Sequence, residues 1–211
     1  EADKKGRIPK VVIPVHLCGE SCEMDKIYEL SKRYGFKIIE DASHSIGGKF
    51  KSFPIGSCEY SDITVFSFHP VKIITSAEGG MCTTNDSTLA KKLSVLRTHG
   101  ITRNEDDLVN NIEGPWYYEQ LYLGYNYRMT DVQAALGLSQ LERLNEFILK
   151  RNAIAKKYKN DFLGTKILYQ KTIDASLSSY HLFVIQIEES DTVKSKKEIF
   201  EELRSMGINV N

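Results

Sequence analysis

Lys72 and Asp41 are the two residues whose types and positions most directly predict chemistry. Lys72 follows the apolar run 63–68 in a loop bounded by proline and glycine, and Asp41 follows the apolar run 36–40. An amine in a pocket of low polarity loses its proton more readily than in water, and it can then attack a carbonyl to form a Schiff base. A Schiff-base lysine and an acid at the pyridinium nitrogen are the protein partners of pyridoxal phosphate. The pair therefore suggests that cofactor.

Alternating strand and helix patterns between residues 10 and 85 would position the two side chains. We predict strands at 11–16, 36–40, 63–68 and 80–84, a helix at 23–34 closed by Gly35, and a helix beginning near Asp86 with Ser87 as a candidate cap. Strands separated by helices indicate parallel β-α-β units, which bind ligands at the carboxyl ends of their strands. The fold class is therefore α/β, with a central, mostly parallel sheet flanked by helices.

The second half of the chain predicts a long helix followed by a small lobe. Thr130 and Gln133 can cap a helix that continues, straight or bent, through Leu144 to about Tyr158. Strands are expected near 166–169 and 181–187, and a helix near 194–206. We interpret His181 as a packed residue at a strand start.

The segment 104–128 lacks periodicity and is rich in aromatic residues. Its aromatic side chains are Trp116, Tyr117, Tyr118, Tyr122, Tyr125 and Tyr127. A long irregular segment is either functional or disordered, and its aromatic content argues against disorder. We expect it to line a site or a subunit interface.

Composition excludes several classes of function. The 211 residues include 28 Lys and Arg against 28 Asp and Glu, so there is no basic footprint for nucleic acid. No apolar stretch approaches the roughly 20 residues needed to span a bilayer, and residues 1–7 lack the apolar part of a signal peptide. We therefore predict a cytoplasmic protein without nucleic-acid or membrane partners.

The four cysteines do not predict a metal site. Cys18 and Cys22 are four residues apart, but no second cysteine pair or histidine pair completes a zinc pattern. We expect reduced structural thiols and no bound metal.

Several strings in register resemble one enzyme family. They are Glu-Asp-Ala-Ser-His at 40–44, Phe-Ser-Phe-His-Pro-Val-Lys at 66–72, Glu-Gly-Gly at 78–80, Leu-Arg-Thr-His-Gly at 96–100 and Gly-Tyr-Asn-Tyr-Arg-Met-Thr-Asp-Val-Gln-Ala-Ala at 124–135. In this order they resemble the DegT/DnrJ/EryC1/StrS nucleotide-sugar aminotransferases. The resemblance implies a fold type I aminotransferase and pyridoxal phosphate as cofactor. It divides the chain into part of a large cofactor-binding domain at 1–130, a connecting helix at 131–160 and part of a small C-terminal domain at 161–211.

The resemblance also implies roles for individual residues. Lys72 would hold the cofactor and then move a proton during catalysis, and Asp41 would pair with the ring nitrogen. Ser67 would bind the cofactor phosphate, with a buried serine satisfied by the backbone as the alternative. His44 would lie near the phenolic oxygen of the ring, with a core or rim histidine as an equal alternative, and His69 would pack beside cofactor or substrate.

Asn126 and Arg128 resemble family positions that reach the active site of the partner subunit, where they bind phosphate or substrate. A surface ion pair is the alternative for Arg128. If the role in the partner site holds, the protein is a homodimer with shared sites. The strings at 69–75 and 114–119 are most similar to the branch that aminates C4 of a UDP-linked 4-keto-6-deoxy-N-acetylhexosamine with L-glutamate, in pseudaminic acid biosynthesis.

Three alternatives remain beside this interpretation. A phosphorylated receiver domain also has Asp, Ser and Lys after strands, but there Ser and Lys lie on separate strands, whereas Ser67 and Lys72 are five residues apart. The dehydratase branch of the family carries His in place of the Schiff-base Lys. The third alternative is an inert or regulatory protein of the same fold. Because family members are longer and bind the cofactor phosphate at an earlier Gly-Ser/Thr turn, we expect this chain to be incomplete at both ends.

Overall fold

The computed structural model describes residues 3–110, 113–187 and 194–211. The strands of this part of the chain are β1 Val11–Val12, β2 Lys37–Asp41, β3 Lys49–Phe50, β4 Phe53–Pro54, β5 Ile63–Ser67, β6 Gly80–Thr83, β7 Ile101–Thr102, β8 Glu119–Gln120, β9 Leu168–Tyr169, β10 Ser176–Leu177 and β11 Ile185–Gln186. Its α-helices are α1 Met24–Tyr34, α2 Ser87–Leu96, α3 Asp131–Leu141, α4 Leu144–Asp161 and α5 Lys196–Ser205. Short 3-10 helices occupy Leu17–Gly19 and Glu105–Asp107.

A four-stranded sheet in the order β1-β2-β5-β6 forms the centre of the fold. The first three strands are parallel, and β6 returns antiparallel to β5 with Ser67 opposite Gly80. The sheet is therefore mostly parallel, as the sequence predicts. The carboxyl ends of β2 and β5 consequently lie at the same edge.

Helix α1 crosses between β1 and β2 and covers one face of this sheet. It ends at Gly35, which adopts the left-handed conformation (φ 77°) and donates its N–H to the Ser31 carbonyl. Its first residue, Met24, is 1% exposed and packs with Ile38 and Phe50. Burial of these apolar side chains fixes the helix against the strand that carries Asp41.

A second apolar cluster lies beneath the lysine loop. Its buried members are Ala42, Phe66, Phe68, Ile73, Ile74 and Ile148. Ile73 and Ile74 directly follow Lys72, so the loop is anchored by its own side chains. Ile148 belongs to α4, and it joins the second half of the chain to this core.

Two local predictions in the first half of the chain need correction. Regular pairing in β1 stops at Val12 instead of residue 16, because Pro14 has no N–H, although His16 N–H still bonds the Asp41 carbonyl. The N-cap of α2 is Asp86, whose carboxylate accepts from the N–H groups of Thr88 and Leu89, so Ser87 is its first residue and not its cap. A carboxylate stabilises a helix N-terminus because it accepts otherwise unpaired N–H groups there.

The predicted long helix consists of two helices. Thr130 and Gln133 form the expected capping box of α3, but α3 ends at Leu141 and α4 begins at Leu144. Arg143 (φ −99°, ψ 2°) interrupts the helix between them. The bend that the prediction allowed for is confirmed. The structure goes further, because the helix is interrupted between α3 and α4, which the apolar spacing does not indicate.

The aromatic segment is more regular than predicted, because β8 within it pairs antiparallel with β7. The Glu119 carboxylate accepts the N–H groups of Val109 and Asn110, which closes the intervening loop; residues 111 and 112 lie outside the described part. Toward the end of the chain, β9 pairs antiparallel with β11. None of the helices formed by the described residues is both long and apolar enough to cross a bilayer.

Candidate active site

Asp41 and Ser67 lie at the same edge of the central sheet. Asp41 is the last residue of β2 and pairs with Val65, and Ser67 is the last residue of β5. The loop from β5 to β6 begins beside them and carries Lys72. The fold therefore brings the predicted carboxylate, hydroxyl and amine to the carboxyl ends of neighbouring parallel strands.

Backbone hydrogen bonds hold the lysine loop in one shape. The Phe68 N–H bonds the Gly79 carbonyl at 2.8 Å, and the Ser76 N–H bonds the Phe68 carbonyl at 3.0 Å. A turn bond of 2.9 Å joins the Lys72 N–H to the His69 carbonyl. Lys72 is half-buried in this loop, and its side chain is accessible for covalent chemistry.

The Asp41 carboxylate is stabilised in its ionised form. Its Oδ1 accepts the Ser43 N–H at 3.0 Å. Burial by itself raises the pKa of this carboxyl, but the hydrogen bonds from Ser43, together with the charge of Lys72, outweigh burial and lower the pKa below its usual value. Asp41 can therefore present a negative charge to a cationic group such as a protonated pyridine nitrogen.

His44 is held as a neutral imidazole beside Asp41 and Lys72. Its Nδ1 accepts the Cys18 N–H at 3.3 Å, which leaves the proton on Nε2. Burial and the charge of Lys72 lower the pKa of His44, although Asp41 opposes them. A neutral ring can donate from Nε2 to an oxygen without adding positive charge near Lys72.

His181 packs against His44, as expected of a packed residue, but it does not start a strand, because the strand that follows it begins only at Ile185. Its ring centroid lies 4.5 Å from that of His44, with the two ring planes inclined by 52°. Burial lowers the pKa of His181 to about 4, and the positive charges of Lys72 and Arg151 act in the same direction. No spacing in the sequence connects the two histidines, because only the docking of the second half of the chain brings them together.

Ser67 and His69 form the outer side of the lysine loop. The Ser67 hydroxyl accepts the His69 N–H at 3.4 Å. The His69 ring is exposed, with Nδ1 accepting the Val71 N–H and Nε2 3.8 Å from Glu78 Oε1. The structure thus turns His69 toward Glu78, whereas His44 is turned toward His181.

Asn126 and Arg128 lie on an exposed part of the aromatic segment. Arg128 Nε donates to Asn126 Oδ1 at 3.0 Å, and the neighbouring rings of Tyr125 and Tyr127 stack with centroids 5.3 Å apart. Both polar side chains are exposed, and their mutual hydrogen bond involves none of the residues around Lys72. A surface ion pair for Arg128 does not describe this contact, because its partner here is a neutral amide.

These side chains fit pyridoxal phosphate. Lys72 is available for covalent attachment, ionised Asp41 suits the ring nitrogen, the Ser67 hydroxyl suits the phosphate, and neutral His44 suits the phenolic oxygen. When bound, the cofactor supplies an electron sink for a substrate carbanion. In residues 3–110, 113–187 and 194–211, no group of three or more His, Cys, Asp or Glu side chains is arranged to hold a metal ion.

The fold and the residues at the carboxyl ends of β2 and β5 define a class of protein. It is an α/β protein whose site is built around a lysine and an aspartate that follow neighbouring strands. The model of the DegT/DnrJ/EryC1/StrS aminotransferase family matches residues 4–211. The chain belongs to that family. Membership of this family confirms the predictions of a fold type I aminotransferase and of pyridoxal phosphate as cofactor.

Individual relatives make the similarity specific. The UDP-4-amino-4,6-dideoxy-N-acetyl-beta-L-altrosamine transaminase of Campylobacter jejuni strain 81-176 is 40% identical over 195 residues, which are 91% of this chain and 48% of that protein. The structure of Helicobacter pylori PseC, an aminotransferase involved in the biosynthesis of pseudoaminic acid, matches with a TM-score of 0.84 and 30% identity over 96% of this chain and 53% of its own. The PLP-form of Spr1654 from Streptococcus pneumoniae matches with a TM-score of 0.79 and 30% identity, covering 94% and 53% of the two chains. The chain spans about half the length of the curated relatives that it matches.

Proposed function

We propose that this protein is a pyridoxal phosphate-dependent aminotransferase that transfers an amino group from L-glutamate to C4 of a UDP-linked 4-keto-6-deoxy-N-acetylhexosamine, in pseudaminic acid biosynthesis. The observation that carries the proposal is the convergence of Lys72, Asp41 and His44 at one sheet edge of a chain in this family. The similarity to the Campylobacter jejuni transaminase and to PseC supports the choice of sugar. A cytoplasmic location is part of the proposal.

The proposed roles follow the geometry of each side chain. Lys72 binds the cofactor and afterwards moves a proton between Cα of the amino donor and C4′ of the cofactor. Asp41 keeps the ring nitrogen protonated, since its own pKa is lowered. Ser67 donates its hydroxyl to the phosphate, and His44 contacts the phenolic oxygen. His69, with its exposed ring, serves the sugar substrate.

A homodimer with shared active sites completes the proposal. Asn126 and Arg128 are exposed, and Arg128 provides the planar set of donors that suits phosphate oxygens. In the same aromatic segment, the side chains of Trp116 and Tyr127 are 70% and 73% exposed. Large aromatic side chains this exposed are typical of surfaces that become covered by a partner. We propose that the partner is a second copy of the chain, which receives Asn126 and Arg128 in its own site.

The test uses the full-length protein with pyridoxal phosphate, L-glutamate and the UDP-linked 4-keto sugar, and it measures the aminated product by mass spectrometry and NMR. The C-5 epimer of the sugar serves as the matched control. The keto sugar tested is UDP-2-acetamido-2,6-dideoxy-β-L-arabino-hexos-4-ulose. We expect its turnover to exceed that of the epimer by at least about tenfold, because a wrongly placed substituent leaves buried polar groups unpaired. Preference for the epimer, or for another keto sugar, would assign the protein to a different branch of the family. Absence of amino transfer from glutamate to any keto sugar would favour an inert or regulatory protein.

A further inference from the structure

His181 has a ring nitrogen that forms no hydrogen bond among the described residues. This nitrogen, Nδ1, is buried. A buried polar atom without a partner costs on the order of 1–3 kcal/mol, so such atoms usually belong to a site that a ligand or water completes. The atom lies on a ring that already contacts His44, beside the cofactor residues.

The position of His181 is fixed from three directions. Arg151 Nη1 donates to the carbonyl groups of Tyr180 and His181 at 3.0 and 3.2 Å. The Ser179 hydroxyl donates to the His44 carbonyl at 2.9 Å, and the Ser179 N–H bonds the Gly19 carbonyl at 3.0 Å. These bonds fix the backbone that carries the His181 side chain, and such pre-organisation of the backbone favours binding by the side chain.

The charges around His181 favour an anionic ligand. Lys72 and Arg151 are close enough for their positive charges to act on the ring, whereas Asp41 is already engaged with Ser43. A neutral imidazole can carry its proton on Nδ1 and donate it to an oxygen. A donor in a cationic environment suits a carboxylate better than it suits a neutral hydroxyl.

The two proposed substrates differ in where their anionic groups lie. In glutamate, the α-carboxylate is bonded directly to the carbon that reacts next to Lys72. In the nucleotide sugar, the diphosphate is attached at C1, across the ring from the reacting C4. An anion-binding group in contact with the cofactor residues therefore matches the amino donor.

We propose that His181 is a substrate-binding residue whose Nδ1 donates a hydrogen bond to the α-carboxylate of the amino donor. The proposal rests on the aminotransferase function proposed above and names the residue of this site that recognises the donor. It gives the small lobe a part in catalysis, because His181 lies beyond α4 while the lysine and the aspartate belong to the central sheet.

Two substitutions in the full-length holoenzyme separate hydrogen bonding from packing. His181→Phe keeps a ring against His44 but removes the donor, whereas His181→Asn keeps an N–H close to the position of Nδ1 and removes the ring. We expect His181→Phe to raise KM for glutamate at least about tenfold while changing KM for the keto sugar less than twofold. For His181→Asn, the KM values for glutamate and for the keto sugar should both stay within about threefold of the wild-type values.

Equilibrium binding supplies a readout that does not depend on turnover. The probe is α-methylglutamate, which carries both carboxylates but has no Cα hydrogen to transfer. Its Kd should rise at least about tenfold in His181→Phe, while cofactor retained after dialysis stays unchanged. An unchanged Kd in His181→Phe would overturn the inference, as would an equal rise of KM for both substrates. If the wild-type enzyme transfers no amino group from glutamate, the proposed function itself fails, and the inference fails with it.

Discussion

The Ser179 hydroxyl donates a 2.9 Å hydrogen bond to the main-chain carbonyl of His44, across 135 positions of the sequence. The bond fastens the segment before His181 to the segment after Asp41. Since the two parts meet through buried backbone and a buried serine, their contact is specific and not merely apolar. The geometry of the site therefore depends on how the second half of the chain docks on the sheet.

Gly19 allows this contact, and we predict that Gly19→Ala loosens it. At φ +96°, a Cβ on residue 19 would lie 2.6 Å from Ser179 Oγ and 2.8 Å from the Tyr180 nitrogen. Backbone strain alone costs on the order of 1–3 kcal/mol, and the clash adds to it. The free energy of unfolding, measured in urea, should therefore be lower for Gly19→Ala than for the wild type. Gly164→Ala is the matched control, because its φ is +76° but nothing lies within 4 Å; an equal loss in both variants would contradict a role for the contact.

The lowered pKa of His181 predicts how stability depends on pH. Because this pKa is about 4 in the folded protein and 6.5 otherwise, the unfolded chain binds more protons between these values. The stability linked to this group is therefore complete above about pH 6.5 and decreases as the pH falls toward 4. The free energy of unfolding, measured in urea at pH 7, 6 and 5, should decrease less steeply for His181→Phe than for the wild type. Equal slopes would show that this histidine is not the titrating group.

Asp41→Asn should impair chemistry more than folding. The substitution keeps the shape of the side chain but removes the charge that holds the ring nitrogen protonated. We expect the half-reaction with glutamate to slow by about 100-fold or more, the usual scale for loss of one pre-organised electrostatic contact. Stopped-flow absorbance of the cofactor measures the rate. The control is Asp25→Asn, which removes a surface partner of Lys51. Its half-reaction rate should stay within about twofold of the wild-type rate. A rate for Asp41→Asn near that of Asp25→Asn would exclude the proposed role.

Mixed dimers test whether Arg128 serves the partner subunit. Lys72→Ala and Arg128→Ala proteins should each be strongly impaired in the full-length enzyme. After the two are mixed and allowed to exchange subunits, each mixed dimer would contain one site with both native residues. We expect activity to recover, by as much as about a quarter of the wild-type value if exchange is random and only mixed dimers are active. If native mass spectrometry shows mixed dimers and activity does not recover, Arg128 acts within its own subunit or elsewhere.

The sequence was sufficient for the part of the site that lies at strand ends. Asp41 and Ser67 each end a strand of the sheet, and neighbouring parallel strands place the residues at their carboxyl ends along one edge. His181 could not be found in this way, because its contact with His44 is set by tertiary docking and not by local periodicity. The sequence allowed for a bend in the long helix, but it did not show the break at Arg143, since apolar residues keep helical spacing on both sides of it.

Trapping of the cofactor on Lys72 is the most direct test of the central claim. Full-length protein is incubated with pyridoxal phosphate, reduced with borohydride, digested and mapped by mass spectrometry. The account predicts one modified peptide, with the mass of the reduced cofactor on Lys72, and no such adduct in Lys72→Ala. A reducible adduct that persists in Lys72→Ala, or one that maps to another lysine, would contradict it.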